Sequence, residues 1–100
     1  MEITTTKKED CILVAVNGRV DTTTAKEFET HISTVLNEEC KNIVLNCENM
    51  IYISSSGLRV FLILQKGINA KGGTLVIRGM SEPIKEVFKI TGFSSIFNIE

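Results

Sequence analysis

Ile53-Ser54-Ser55-Ser56-Gly57-Leu58-Arg59 joins two patterns that demand different backbones. Before it, Met50-Ile51-Tyr52-Ile53 reads as extended chain. After it, Val60 to Leu64 is an apolar run inside a helical pattern that continues to about Ala70. Three hydroxyls and a glycine therefore lie where a strand ends and a helix begins. Such a junction carries amide N–H groups with no intrahelical acceptor and the positive end of the helix dipole. It suits a negatively charged group, and the residues at hand make a phosphate on Ser56 the expected one.

Upstream, Ile43-Val44-Leu45-Asn46-Cys47 is a short buried-strand pattern closed by a Glu48-Asn49 turn. Before it, Ala25, Phe28, Ile32, Val35 and Leu36 recur at helical spacing, predicting an amphipathic helix over about 22–37. Asp21 to Thr24 supplies candidate caps, and Thr24 with Glu27 has capping-box spacing. His31 falls among polar neighbours and is expected to face solvent or serve a cap. Cys11 to Val16 is a nearly continuous apolar strand, consistent with burial on both faces, and Asn17-Gly18 breaks it. The threonine-rich Glu2–Lys7 segment suits an edge strand and is close enough to the next strand to form a hairpin.

Downstream, Ala70-Lys71-Gly72-Gly73 ends the second helix and Thr74–Arg78 is a further strand. Ser81 caps a third helix with Pro83 in its first turn. Ile84, Val87 and Phe88 form its apolar face, and Gly92 stops it. Phe93, Ile96 and Phe97 are expected to pin the tail to the core.

The order is strand, strand, helix, strand, helix, strand, helix. It predicts one α/β domain over 1–100: an N-terminal hairpin leading into a mostly parallel sheet of four to five strands, with helices packed against it. Chemistry in such sheets gathers beyond the carboxyl ends of the strands. Two loops leave there: Gly18-Arg19-Val20-Asp21-Thr22, and Ser54 to Gly57, assigned to the strand near Cys47. If those strands are neighbours, Asp21 and the serines share one surface.

Composition narrows the function classes. The chain is 43% hydrophobic and 23% charged with a net charge of -1, the balance of a folded domain without a basic stripe for nucleic acid. No apolar run approaches the roughly 20 residues of a membrane span. Met1-Glu2-Ile3-Thr4 lacks signal-peptide character, so the cytoplasm is expected. Cys11, Cys40 and Cys47 form no CxxC pair, and His31 is the only histidine. A metal site and a cofactor are not expected, and Cys11 and Cys47 read as buried thiols.

On a helical wheel of about 100° per residue, Val60, Phe61, Leu64 and Ile68 of the second helix fall on one side and must be core. Arg59 and Lys66 fall on the other, where Ile63 also falls, near Ala70, with Leu62 at the margin. Arg59, Leu62, Ile63 and Lys66 are thus a candidate docking patch beside Ser56. The alternative is a second core contact with the terminal helix. An enzyme is not expected. Ser56, His31 and Asp21 supply the residue types of a hydrolase triad, but there is no G-x-S-x-G elbow and no G-x-x-x-x-G-K-[ST] loop. His31 should also face away from the serines.

The chain resembles the STAS domain, the fold of bacterial anti-sigma-factor antagonists, over essentially its whole length. The marks are Gly18-Arg19-Val20-Asp21 before the first helix, the Ile53 to Leu58 run opening the second, and Thr91-Gly92-Phe93 with Ile96-Phe97 near the end. The resemblance implies partner switching. The unmodified antagonist binds an anti-sigma factor with serine kinase activity and so frees the sigma factor. ATP-dependent phosphorylation on the residue before the glycine, here Ser56, breaks that complex, and a serine phosphatase resets it. The family's acidic loop residue corresponds to Asp21. Ser54, Ser55 and Gly57 are the other phosphosite neighbours, with Ser55 a secondary possible acceptor. Thr22, Arg59, Leu62, Ile63 and Lys66 are the expected partner-docking residues. The sequence departs from the family pattern at Ser54, where many members carry Asp. Neither direct nucleic-acid binding nor membrane insertion is expected, and the free protein is expected to be a monomer. The alternative function is a STAS adaptor subunit of a transporter or other multi-protein assembly, without a phosphorylation cycle.

Overall fold

The chain pairs its first two strands before it makes any crossover. β1 (Glu2–Lys7) and β2 (Ile12–Val20) form the expected hairpin, antiparallel, with Glu2 opposite Asn17 and Lys7 opposite Ile12. Next come α1 (Ala25–Leu36), β3 (Asn42–Asn46), β4 (Met50–Ile53), α2 (Ser55–Ala70), β5 (Thr74–Arg78) and α3 (Glu82–Ile90). A 3-10 turn at Phe93–Ser95 and a two-residue β6 (Asn98–Ile99) close the chain. The computed structural model describes residues 1–100.

The sheet runs β1-β2-β3-β5-β6, and every pairing after the hairpin is parallel. It has six strands rather than four to five, because β6 is too short to show a pattern and β4 pairs separately with the end of β2. Asn17-Gly18 does not end β2, contrary to the sequence reading. Gly18 takes a φ of 90° and donates its N–H to Asn49 O at 2.8 Å. The register shifts there, and β2 goes on to pair Arg19 and Val20 with Tyr52 and Ile53 of β4. A left-handed glycine lets the strand bulge instead of stopping.

The core lies on one face of the sheet. Ile12, Val14 and Val16 of β2, Ile43 and Leu45 of β3, and Leu75 and Ile77 of β5 are buried. Leu13, Ala15, Val44 and Val76 between them are half-buried and outside the core cluster. The expectation of two equally buried faces is therefore corrected: β2 alternates, and its outer face is shielded only in part. On the core face, the predicted stripe of α2 is fully buried, and Phe61 meets Phe28, Phe88 and Phe97 edge-on at centroid distances of 5.5, 5.4 and 6.2 Å. These contacts tie α1, α2, α3 and the tail together. T-shaped pairs of this kind add about 0.5–1.5 kcal/mol each beyond the area they bury. Phe97 and the half-buried Phe93 do pin the tail, but Ile96 stays 47% exposed because the 3-10 turn points it outward.

Cys47 is buried, and burial pushes its thiol pKa up to about 12. Cys11 is only half-buried, since it precedes the first paired residue of β2. No helix is long and apolar enough to cross a membrane.

Candidate functional site

Parallel pairing of β2 with β4 creates the site. Val20 and Ile53 are registered partners, and Ser54 N–H donates to Val20 O at 2.8 Å. The residues that follow, Asp21 and Ser54, therefore leave the sheet side by side, at a strand spacing of about 4.8 Å. The expected meeting of Asp21 with the serines is present, but the strand that brings it about is β4 and not the one near Cys47.

Asp21 builds the entry to α1. Its Oδ1 accepts from the Thr23 amide at 3.0 Å and the Thr23 hydroxyl at 2.7 Å, while its main-chain oxygen accepts from Ala25 N–H at 2.8 Å. The Thr24 hydroxyl accepts from Asp21 N–H at 2.9 Å and donates to Arg19 O at 3.1 Å. Thr24 thus makes no capping box with Glu27, because its hydroxyl is already used in this turn. Arg19 Nε lies 3.5 Å from Asp21 Oδ2. The Thr23 hydroxyl above all, helped by the Thr23 and Thr24 amides and Arg19, holds the Asp21 carboxyl below its ordinary value, against desolvation, which opposes the shift more strongly than any one of those three helpers favours it. Asp21 is therefore ionised and engaged with its own loop.

Ser54 caps α2. Its backbone is extended, and its Oγ accepts from Gly57 N–H at 3.3 Å. A serine at this position performs the local task that an aspartate would perform. Gly57 is buried, and a Cβ there would stand 2.7 Å from Val20 Cγ1, 2.9 Å from Ile53 Cγ1 and 3.2 Å from Val20 O. The glycine is required by packing of α2 onto the β2–β4 pair. Ser55 is exposed and Ser56 half-buried, and neither hydroxyl enters a hydrogen bond within the chain.

Ser56 opens into a groove of about 400 Å³ between α1 and α2, which it lines together with Thr22, Lys26, Glu29 and Arg59. Arg59 Nη1 is 3.7 Å from Glu29 Oε1 across the groove. Of the expected docking residues, Thr22 and Arg59 join Ser56 here. Lys66 is exposed farther along α2, and Leu62 and Ile63 are half-buried without packing into the core. His31 does not reach the site: its Nε2 is 2.5 Å from Thr5 Oγ1 on β1. Being half-buried against β1, it is not the solvent-facing residue expected.

Three neighbours escaped the sequence reading. Lys26 and Glu29 are ordinary surface residues until α1 packs on α2. Tyr52 carries the Arg19 guanidinium 4.3 Å from its ring centroid. Its signal was available in the pairing of β4 with β2, since Arg19 and Tyr52 are registered partners.

Residues 2–100 match the family model of the STAS domain, and the chain belongs to that family. Within it, BtrV of Bordetella bronchiseptica is 31% identical, over 99% of this chain and 85% of that protein. The anti-sigma-B factor antagonist of Staphylococcus aureus is 30% identical, over 99% of this chain and 92% of its own length. Among solved structures, a Thermotoga maritima protein superposes with a TM-score of 0.90 at 21% identity, covering 97% of this chain and 84% of that one. The phosphorylated form of the Bacillus cell fate determinant SpoIIAA superposes with 0.76 at 18% identity, covering 99% and 91%. At these identities the structural likeness speaks to fold.

Proposed function

We propose that the protein is a cytoplasmic anti-sigma-factor antagonist worked by a phosphorylation switch on Ser56. Its unmodified form docks on an anti-sigma factor with serine kinase activity, and the sigma factor is released. The Ser56 Oγ then bonds to the terminal phosphorus of ATP as the bond from that phosphorus to ADP breaks. The hydroxyl proton passes to a base of the kinase. A serine phosphatase restores the hydroxyl. In this reading the chain itself catalyses nothing and is a monomer when free.

The observation that carries the reading is the state of Ser56. Its hydroxyl has no intramolecular partner, and it lines a groove beside the turn that holds Asp21. Ser55 and Ser54 are poorer acceptors for different reasons: Ser55 is not among the groove residues, and Ser54 is occupied as the cap. The relationship to the Staphylococcus aureus antagonist supports the antagonist role, and the structures of SpoIIAA in phosphorylated and unphosphorylated forms are in keeping with a fold that accommodates the modification. A phosphate brings about -1.5 to -2 charges at neutral pH. At the start of α2 the fold tolerates it, so the modification acts on the docking surface.

Incubation with the partner kinase and ATP, followed by phosphopeptide mapping, tests the proposal. Modification is expected at Ser56. Ser56→Ala should keep partner binding, and Ser56→Asp should weaken it tenfold or more, the equivalent of about 1.4 kcal/mol. Phosphate found only on Thr22 to Thr24, or normal binding by Ser56→Asp, would overturn the switch and favour a constitutive adaptor.

A further inference from the structure

We infer that phosphate on Ser56 is captured in cis: it takes Arg59 from Glu29, with Lys26 as the second cation, and so withdraws Arg59 from the docking face. The inference rests on the switch proposed above and says what happens inside the groove once Ser56 is modified.

Four features lead to it. Ser56 and Arg59 are three residues apart on α2, hence neighbours on one face with Cβ atoms about 5–6 Å apart. Lys26 reaches the same groove from α1, so cations stand on both walls beside the acceptor. Arg59 is held only by Glu29, through one contact of 3.7 Å between side chains that are 71% and 42% exposed. Exposed pairs of this kind are weakly bound and readily exchanged. A phosphate offers more charge than a carboxylate and more acceptor oxygens in a geometry that the guanidinium fork matches. Arg59 should therefore change partner without any movement of the backbone.

The charge of the groove follows. Before modification its walls carry Lys26, Arg59 and Glu29, a net single positive charge. A dianion at Ser56 reverses that sign and leaves Glu29 unpaired beside it. The nearby Asp21 stays committed to Thr23 and Arg19. The surface offered to a partner thus goes from one net positive to one net negative charge, with Arg59 and Lys26 both turned to the phosphate and Glu29 unpaired, although the fold is unchanged.

The test reads the second ionisation of phosphoserine by phosphorus NMR, in full-length protein carrying phosphoserine installed at position 56 during translation. The phosphate has charged neighbours on every side of the groove: Lys26 and Glu29 from α1, Arg59 from α2, and Asp21 from the preceding turn. Capture predicts a pKa below the ordinary value of about 6. Arg59→Gln should raise it by roughly half a unit to one unit, and Lys26→Gln by less. Glu29→Gln should lower it, by removing the competitor for Arg59. Lys85→Gln, which removes an equal charge from α3, should leave it unchanged. If Arg59→Gln and Lys26→Gln move the titration no more than Lys85→Gln does, capture in cis is wrong. The two proposals fail separately: phosphopeptide mapping elsewhere overturns the switch, whereas an unshifted titration at position 56 overturns the capture.

Discussion

Two strand-to-helix junctions lie side by side at one edge of this sheet, and they are built in opposite ways. The β2–α1 turn is closed on itself: Asp21 and Thr24 exchange hydrogen bonds with each other and with Thr23 and Arg19, and little is left over. The β4–α2 junction is sparse. Ser54 makes one capping bond, Gly57 packs without a side chain, and the hydroxyls of Ser55 and Ser56 are unengaged. The first is a rigid wall that happens to be acidic. The second is a pair of free hydroxyls mounted on a packed base. A family mark such as Gly18-Arg19-Val20-Asp21 can therefore be framework while the junction beside it leaves its hydroxyls free.

This contrast breaks most visibly at Gly57. If the junction is set by close packing on β2 and β4, Gly57→Ala must push apart Val20 and Ile53, whose branched side chains have few alternative rotamers. Overpacking of this kind costs about 1–3 kcal/mol. Thermal denaturation should show a clear fall in midpoint despite the better helix propensity of alanine. A midpoint equal to wild type would mean that the glycine serves only the approach of a partner.

Removing the cap should cost less. Ser54→Ala takes away the acceptor of Gly57 N–H, a loss of about 0.5–2 kcal/mol in comparable caps. The 3.3 Å length of this bond places the expectation in the lower half. Ser54→Asp keeps an acceptor and adds a charge suited to the helix dipole, so urea denaturation should find it at least as stable as wild type. A loss equal to that of Ser54→Ala would show that the departure from the family pattern is not a matter of capping.

The acidic wall gives a pH-dependent effect that is smaller again. The folded state depresses the Asp21 pKa below 3.8. Its contribution to stability is thus fully present above the unfolded value and is lost as pH falls through the folded one. Asp21→Asn should be less stable than wild type at neutral pH, and the difference should shrink in acid. A difference independent of pH would locate the role of Asp21 in the shape of the turn alone.

Elements with strong periodicity were legible in the sequence. The bounds of α2 and β5 fall where the pattern puts them, because a buried stripe of Val60, Phe61, Leu64 and Ile68 admits no other helix face. The bulge at Gly18 was not legible: Asn-Gly after an apolar run looks the same whether the strand turns or slips by one residue. β4 reads as extended chain, but its four residues show no alternation, so its place beside the end of β2 emerges only from the pairing. The site was half legible. Ser56 and Asp21 stand out by residue type and position. Lys26 and Glu29 acquire meaning only from the packing of α1 on α2, which no local pattern encodes.

The smallest effect is the most informative about the comparison. Ser56→Ala removes a hydroxyl that bonds to nothing in the chain, at a position whose backbone is already helical. Surface changes of this kind stay within about 0.5 kcal/mol, and alanine favours the helix slightly. Chemical denaturation should therefore find Ser56→Ala as stable as wild type or marginally more so, with an unchanged denaturant slope. If Ser56→Ala is instead destabilised as much as Ser54→Ala, its hydroxyl is part of the cap. The sparse junction would then be as self-contained as the acidic one, and the case for Ser56 as the free, modifiable group would lose its physical basis.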